Sequence, residues 1–257
     1  VFDLSDRVIL VTGGNGGIGL AMADACARAG ARVAIWGTNP DKNAAAIAHL
    51  RRDTAEAEAW VCDVSDPDQV NARMADLLDR FGRLDGCIAN AGVSAAGEHA
   101  FHEMPIDAWR RIMAINLDGV FLVYQAALKH MVARSRQGDP FGRLVCVSSI
   151  ASQFGAVGNE HYAATKGALN SLTFALSVGY ARHGITANAI LPGWIETDMA
   201  AGAIANEKFA TDVGARIPVR RWGQPDDFGG MSVYLMSEAS SYHTGQLIQI
   251  DGGYGRF

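Results

Sequence analysis

The chain has 257 residues, 49% hydrophobic and 19% charged, and carries a formal net charge of −5. That composition supplies one large core and excludes a disordered chain. No run of Lys or Arg exceeds two residues, which excludes the basic stripe of a nucleic-acid binder, so an anionic partner has to be met locally.

In chain order, runs rich in Val and Ile recur at RVILVT (7–12), ARVAIW (31–36), EAWVCDV (58–64), LDGCIAN (84–90), GRLVCVSS (142–149), ITANAILPG (185–193) and QLIQID (246–251). They are apolar at nearly every position, so each reads as a strand buried on both faces of a parallel sheet. Helical spacing fills the gaps, as in IGLAMADACARAG, QVNARMADLLDRFG and AWRRIMAINLDGVFLVYQAALKHMVA. Gly30, Gly82 and Gly184 are placed to stop helices, and Asp66-Pro67 to start one. Residues 134–142 read as a connecting loop. Residues 194–222 follow a strand's carboxyl end, where ligands bind in open α/β sheets. The expected architecture is α/β: a single doubly wound (Rossmann) domain over residues 1–257, its seven-stranded parallel sheet covered by helices on both faces, with 194–222 as a substrate lid.

The apolar runs are strand-length, shorter than the ~20 residues a membrane span needs, and no charged leader opens the chain, so a cytoplasmic protein without a membrane partner is expected. Cys26, Cys62, Cys87 and Cys146 lie far apart in apolar segments with no CxxC pair, which reads as four buried thiols and no metal.

Between the first strand and first helix stands TGGNGGIG, Thr12 to Gly19. Strand, glycine turn and helix in this order let backbone N–H groups and the positive end of a helix approach a pyrophosphate. Gly13, Asn15, Gly16, Gly17, Ile18 and Gly19 are therefore the expected cradle of a dinucleotide. Farther on, Tyr162 and Lys166 lie four apart on a predicted helix and share one face, and Ser149 precedes the tyrosine by thirteen residues at a strand's end. This trio suits hydride chemistry. The alkoxide formed from a ketone needs a proton, a tyrosine can exchange it when a neighbouring ammonium lowers its pKa, and a serine hydroxyl can hold the substrate oxygen.

These motifs, with Asn90-Ala91-Gly92, Pro192-Gly193 and the closing TGQLIQIDGGY, resemble the short-chain dehydrogenase/reductase family over essentially the whole chain. The resemblance implies catalytic roles for Asn116, Ser149, Tyr162 and Lys166, with Asn116 supporting a water chain to the lysine. It implies cofactor contacts from Asp63 and Val64 at the adenine edge, from Asn90, Ala91 and Gly92 beside the adenosine ribose, and from Tyr162 and Lys166 at the nicotinamide ribose. Pro192, Gly193, Ile195 and Thr197 then lie about the nicotinamide. The residues ending the second strand, Gly37, Thr38 and Asn39, include no carboxylate to repel a 2′-phosphate, so NADP(H) is favoured. NAD(H) is the alternative, since Gly16 and Thr38 stand where NADP-dependent relatives often carry arginine. Lys42 reads first as a solvated lysine on a helix face and second as a cation within reach of that phosphate.

The expected substrate contacts are Ser149, Gln153, Phe154, Tyr162 and Trp194, with Ser94 to Ala96 and residues 199–217 nearby. Trp194 reads equally as pocket wall or lid packing. The lining suits a small, mostly apolar ketone or secondary alcohol. The pattern also resembles the 3-oxoacyl-acyl-carrier-protein reductase branch, whose carrier would dock on basic residues such as Arg134, Arg136 and Arg182, although His183 replaces a key arginine there. A ketoreductase acting on free small molecules is the preferred reading, carrier reduction is its alternative, and a non-catalytic dinucleotide sensor is the alternative of another class. The family further implies a homotetramer built on the helix of Tyr162 and the long helix before it.

Overall fold

The apolar runs pair side by side as β1 Val8–Thr12, β2 Arg32–Gly37, β3 Ala57–Val61, β4 Gly86–Ala89, β5 Gly142–Val147, β6 Ile185–Pro192 and β7 Leu247–Ile250. The computed structural model describes residues 2–52 and 56–256, and within these the strands form one parallel sheet in the order β3-β2-β1-β4-β5-β6-β7. Strands β1, β5 and β6 are buried at every position, as strands covered on both faces must be.

The helices are α1 Gly17–Arg28, α2 Pro40–Leu50, α3 Pro67–Phe81, α4 Ile106–Met113, α5 Gly119–Arg136, α6 Ala151–Phe154, α7 Glu160–Tyr180, α8 Ala201–Ile204, α9 Glu207–Arg216 and α10 Gly229–Met236. One face of the sheet packs against Met22, Cys26, Leu50 and Leu235 from α1, α2 and α10. The other packs against Val70, Leu77, Val123, Met131 and Leu169 from α3, α5 and α7. The expected helix signals are used: Asp66 caps α3 by accepting the N–H groups of Asp68 and Gln69 at 2.9 and 3.1 Å, and Gly82 ends that helix at φ 73°. All four cysteines are buried and free.

Two readings need correction. Residues 134–136, which the polar sequence assigns to a loop, are the last turn of α5. Strand-length apolar runs were expected throughout, yet α4, a π-turn at Ala114–Asp118 and α5 form one helix over Ile106–Arg136 that is long and apolar enough to cross a membrane by length and composition. Half of its apolar window is buried in the fold, and α5 lies against α3, β4 and β5.

At the amino edge of β4, fully buried Asp85 accepts hydrogen bonds from the Val8 N–H at 3.0 Å, from Arg83 at 2.7 and 2.9 Å and from Arg134 at 2.7 Å. Burial alone would raise its pKa, but the Arg83 hydrogen bonds, the Val8 amide and the charge of Arg134 hold the carboxyl below the usual range. Arg134 is consequently committed to the fold, not free at the surface for a docking carrier.

Candidate active site

Strand β1 lies between β2 and β4, so the chain leaves it in opposite directions and opens a crevice at the strands' carboxyl ends. Thr12, last in β1, accepts the N–H groups of Asn90 and Ala91 on Oγ1, both at 3.1 Å. In return, Asn90 Nδ2 donates to the carbonyls of Thr12 and Gly13 at 3.1 and 3.2 Å. Asn90 therefore fastens the glycine turn to the end of β4. A Cβ on Gly19 would stand 2.3 Å from the Gly13 oxygen and 2.4 Å from Asn90 Nδ2, so that glycine is required by the chain's own packing.

Gly16 serves differently. It precedes α1 in extended conformation with no side-chain cap, the first turn holds no acidic residue, and nothing lies within 4 Å of where its Cβ would be. Helix N–H groups facing open space without a side-chain acceptor suit an anion, so the turn fits the pyrophosphate of a dinucleotide.

At the end of β2, Gly37 is covered by two carboxamides. Asn15 Nδ2 donates to Asn43 Oδ1 at 2.7 Å, and Asn43 Nδ2 donates to the Gly37 and Trp60 carbonyls at 3.0 and 3.3 Å. A Cβ on Gly37 would lie 2.2 Å from Asn15 Nδ2 and 2.6 Å from Asn43 Oδ1. The glycine thus makes room for Asn15 as well as omitting a carboxylate. Asn43, a buried polar residue one turn after the cap of α2, carries no sequence signal of this role. Thr38 and Asn39 are exposed, and the Asn39 Oδ1 caps α2 by accepting the Lys42 N–H at 2.9 Å. Asp63 and Val64 lie just beyond β3: Asp63 Oδ1 accepts the N–H and hydroxyl of Ser65 at 2.9 and 2.7 Å, and Val64 packs on Gly119 at the start of α5.

The structure brings the four catalytic candidates together at the ends of β4 and β5. Lys166, 4% exposed, donates from Nζ to the Val147 carbonyl at 2.7 Å and stands 5.4 Å from the Tyr162 ring centroid. Ser149 follows β5, and its Oγ accepts the Ala151 N–H at 3.1 Å, leaving its proton to donate. Asn116 sits fully buried in the π-turn, exchanging hydrogen bonds with both backbone groups of Val93 at 2.8 and 2.9 Å, with Nδ2 3.5 Å from Thr165 Oγ1. Gly92 presses against this group: its Cβ would lie 3.3 Å from Asn116 Oδ1 and 3.6 Å from Lys166 Nζ.

The electrostatics depart from expectation. Burial pushes the Lys166 ammonium down to about 8. Burial also raises the Tyr162 phenol, opposed by its hydrogen bond with Ser149, so the protein alone keeps the phenol neutral and does not lower it. The lysine ammonium is held by the Val147 carbonyl and lies 5.4 Å from the Tyr162 ring centroid.

Pro192 ends β6, and Gly193, whose N–H donates to the Ile250 carbonyl at 3.0 Å, passes so close to Asp251 that a Cβ would lie 2.7 Å away. Ile195 is buried and bridges to Gly223, while Thr197 leans over the glycine turn, its Cγ2 3.3 Å from where a Gly17 Cβ would be. Trp194 meets Phe209 of α9 and Trp222 edge-on at 5.0 and 6.0 Å, the arrangement of lid packing, with its buried Nε1 unpartnered. Gln153 accepts a hydrogen bond from Gln249 of β7; Phe154 is 56% exposed beside Gly255. Asn159 Nδ2 donates to Ser94 Oγ at 2.9 Å.

Comparison with known proteins finds relatives along essentially the whole chain. The family model described as Enoyl-(Acyl carrier protein) reductase matches residues 13–255. Gluconate 5-dehydrogenase of Gluconobacter oxydans is 35% identical over 98% of this chain and 96% of its own length. Cis-4-hydroxycyclohexanecarboxylate dehydrogenase of Sinomonas cyclohexanicum is 37% identical over 97% of both chains. The crystal structure of a gluconate 5-dehydrogenase from Burkholderia cenocepacia, in complex with NADP and tartrate, superposes with a TM-score of 0.91 at 36% identity, covering 100% of this chain and 98% of that one.

Proposed function

From the premise that the chain belongs to the short-chain dehydrogenase/reductase family of oxidoreductases, we propose that it moves a hydride between NADP(H) and the carbonyl or secondary-alcohol carbon of a small substrate, with Tyr162 as general acid and base. The observation that carries this reading is the convergence of Ser149, Tyr162, Lys166 and Asn116 at the mouth of the crevice that begins at the glycine turn.

Bound NADP(H) supplies the hydride and, when oxidised, a positive charge at the nicotinamide. Gly13, Asn15, Gly16, Gly17, Ile18 and Gly19 would hold the pyrophosphate, Gly37, Thr38, Asn39, Asp63, Val64 and Asn90 to Gly92 the adenosine side, and Pro192, Gly193, Ile195 and Thr197 the nicotinamide end. Ser149 turns its hydroxyl proton from the Tyr162 oxygen to the substrate oxygen, and Tyr162 gives or takes the proton on that same atom. The raised phenol of the protein alone stores the proton at Oη, ready for reduction. Lys166, whose Nζ stands 5.4 Å from the Tyr162 ring centroid, favours the phenolate form by its charge. Asn116 holds the β4 exit loop against the lysine.

Residues 194–222 form the lid under this reading, with Trp194, Phe209 and Trp222 as its hinge packing. The carboxamides of Gln153, Gln249 and Asn159 beside Ser94 suit a substrate with hydrogen-bonding groups on a short carbon frame, a more polar molecule than the lining residue types alone imply. The relatives named above act on hydroxy acids, in keeping with this. Exposed Phe121 on α5 and exposed Phe174 and Val178 on α7 support a homotetramer built on those helices, and the proposed setting is the cytoplasm. A second reading is reduction of a carrier-bound 3-oxoacyl group; the description of the matching family model names an acyl carrier, though with an enoyl group, and of the docking cations Arg136 and Arg182 remain.

Spectrophotometric turnover of a panel of ketones and secondary alcohols, including gluconate and 4-hydroxycyclohexanecarboxylate, with NADP(H) and NAD(H) in parallel tests the proposal. The expected result is turnover of a free small molecule with preference for NADP(H). Preference for NAD(H) overturns the cofactor assignment, and turnover confined to carrier-bound substrates favours the second reading.

A further inference from the structure

One ion pair joins two parts of the crevice that the sequence keeps apart. Lys42 Nζ donates to Asp198 Oδ2 at 2.8 Å across a separation of 156 residues. Lys42 stands in the first turn of α2, its N–H held by Asn39 Oδ1. Asp198 follows Thr197, which leans over Gly17, and leads into α8. The pair therefore ties the end of β2 to the root of the segment 194–222 and corrects the reading of Lys42 as merely solvated.

Lys42 is the one Lys or Arg from Gly37 through Leu50. Gly16 has no side chain, Thr38 is neutral, and the Asn39 oxygen is occupied by the cap. The Lys42 and Asp198 side chains are 56% and 92% exposed, so water and salt screen the pair and it is easily exchanged for a stronger anion. A phosphate monoester, which carries up to two negative charges and three acceptor oxygens, is such an anion.

We propose that Lys42 is the 2′-phosphate ligand of this chain and that Asp198 occupies its ammonium until the phosphate arrives. The inference rests on the NADP reading above. The dinucleotide that carries the phosphate takes Lys42 from Asp198 and releases the root of the 194–222 segment, so cofactor choice and freedom of that segment are set by one exchange of partners.

Calorimetric titration with 2′-phospho-ADP-ribose and with ADP-ribose tests this without turnover. Wild type binds the phosphorylated compound more tightly. Lys42→Met weakens it about tenfold and leaves ADP-ribose within about twofold, as loss of a charge-assisted hydrogen bond requires; Lys42→Arg restores it. Asp198→Asn tightens the phosphorylated compound about two- to threefold by removing the competitor. Amide hydrogen exchange in Ala201–Ile204 rises on adding 2′-phospho-ADP-ribose to wild type and is already raised in Asp198→Asn. Tighter binding of ADP-ribose by wild type overturns the NADP reading and this inference together. Preference for the phosphorylated compound that persists unchanged in Lys42→Met, or an Asp198→Asn variant indistinguishable from wild type in both measurements, overturns this inference alone.

Discussion

The Asn116 carboxamide closes on a single residue: the Val93 N–H donates to Oδ1 at 2.8 Å, and Nδ2 donates to the Val93 carbonyl at 2.9 Å. The side chain is thus a clamp on the loop that presses Gly92 against Lys166, and its two ends are already engaged. In Asn116→Leu both Val93 groups lose their partner. Stability in urea is expected to fall by about 2–4 kcal/mol, with a parallel loss in kcat, and Asn116→Asp, which keeps only the acceptor, should lie between.

Tyr162→Phe retains the ring and removes the proton. Turnover should fall by about 10²–10⁴, while cofactor affinity measured by calorimetry falls by no more than about tenfold, the loss of one hydrogen bond. Ser149→Ala, which leaves the phenol in place, should cost on the order of 10² in kcat. Wild-type rates in Tyr162→Phe would revive the reading of a non-catalytic dinucleotide sensor.

Burial pushes Lys166 down to about 8, and its pH dependence follows. Below that value the folded protein bears a buried charge. Above the ordinary lysine value of about 10.4 neither folded nor unfolded chain is charged, so this residue's contribution to stability rises with pH across the window. Buried Tyr124 and the buried cysteines, pushed upward by burial, act with the opposite sign, so the effect is read as a difference. Wild-type stability minus that of Lys166→Met should increase by about 2–3 kcal/mol from pH 7 to 10.5. A flat difference in urea unfolding would contradict the burial argument.

Placing a carboxylate at Gly37 tests the packing above it. Asn15 and Asn43 occupy that space, so Gly37→Asp is expected to lose about 1–3 kcal/mol and to weaken both cofactors. Adding Asn15→Gly should recover much of the stability and shift preference toward NAD(H). Binding titrations and thermal unfolding of the single and double variants separate these effects.

The sheet was legible because parallel strands buried on both faces leave continuous apolar runs, and α3 because Asp66, Pro67 and Gly82 signal its ends locally. Ser149, Tyr162 and Lys166 were legible because their spacing in one stretch of chain encodes their chemistry. What remained hidden depends on residues distant in sequence. Nothing near Lys42 announces Asp198, nothing in β1 announces that Thr12 will hold Asn90 and Ala91, and Gly37 reads as a missing carboxylate until Asn15 and Asn43 are seen above it. The raised Tyr162 phenol was hidden for a related reason: a lysine four residues away implies a lowered phenol, and only the fold reveals how deeply that phenol is buried.

The π-turn at Ala114–Asp118 also has a geometric consequence. A turn closed five residues apart holds one residue more than its α-helical neighbours, so it absorbs an insertion where it stands. The faces of α4 and α5 keep the alignment of an uninterrupted helix, and the added residue is spent on widening the turn that carries Asn116. The widened turn therefore serves this corner of the site while the chain on either side continues as ordinary α-helix.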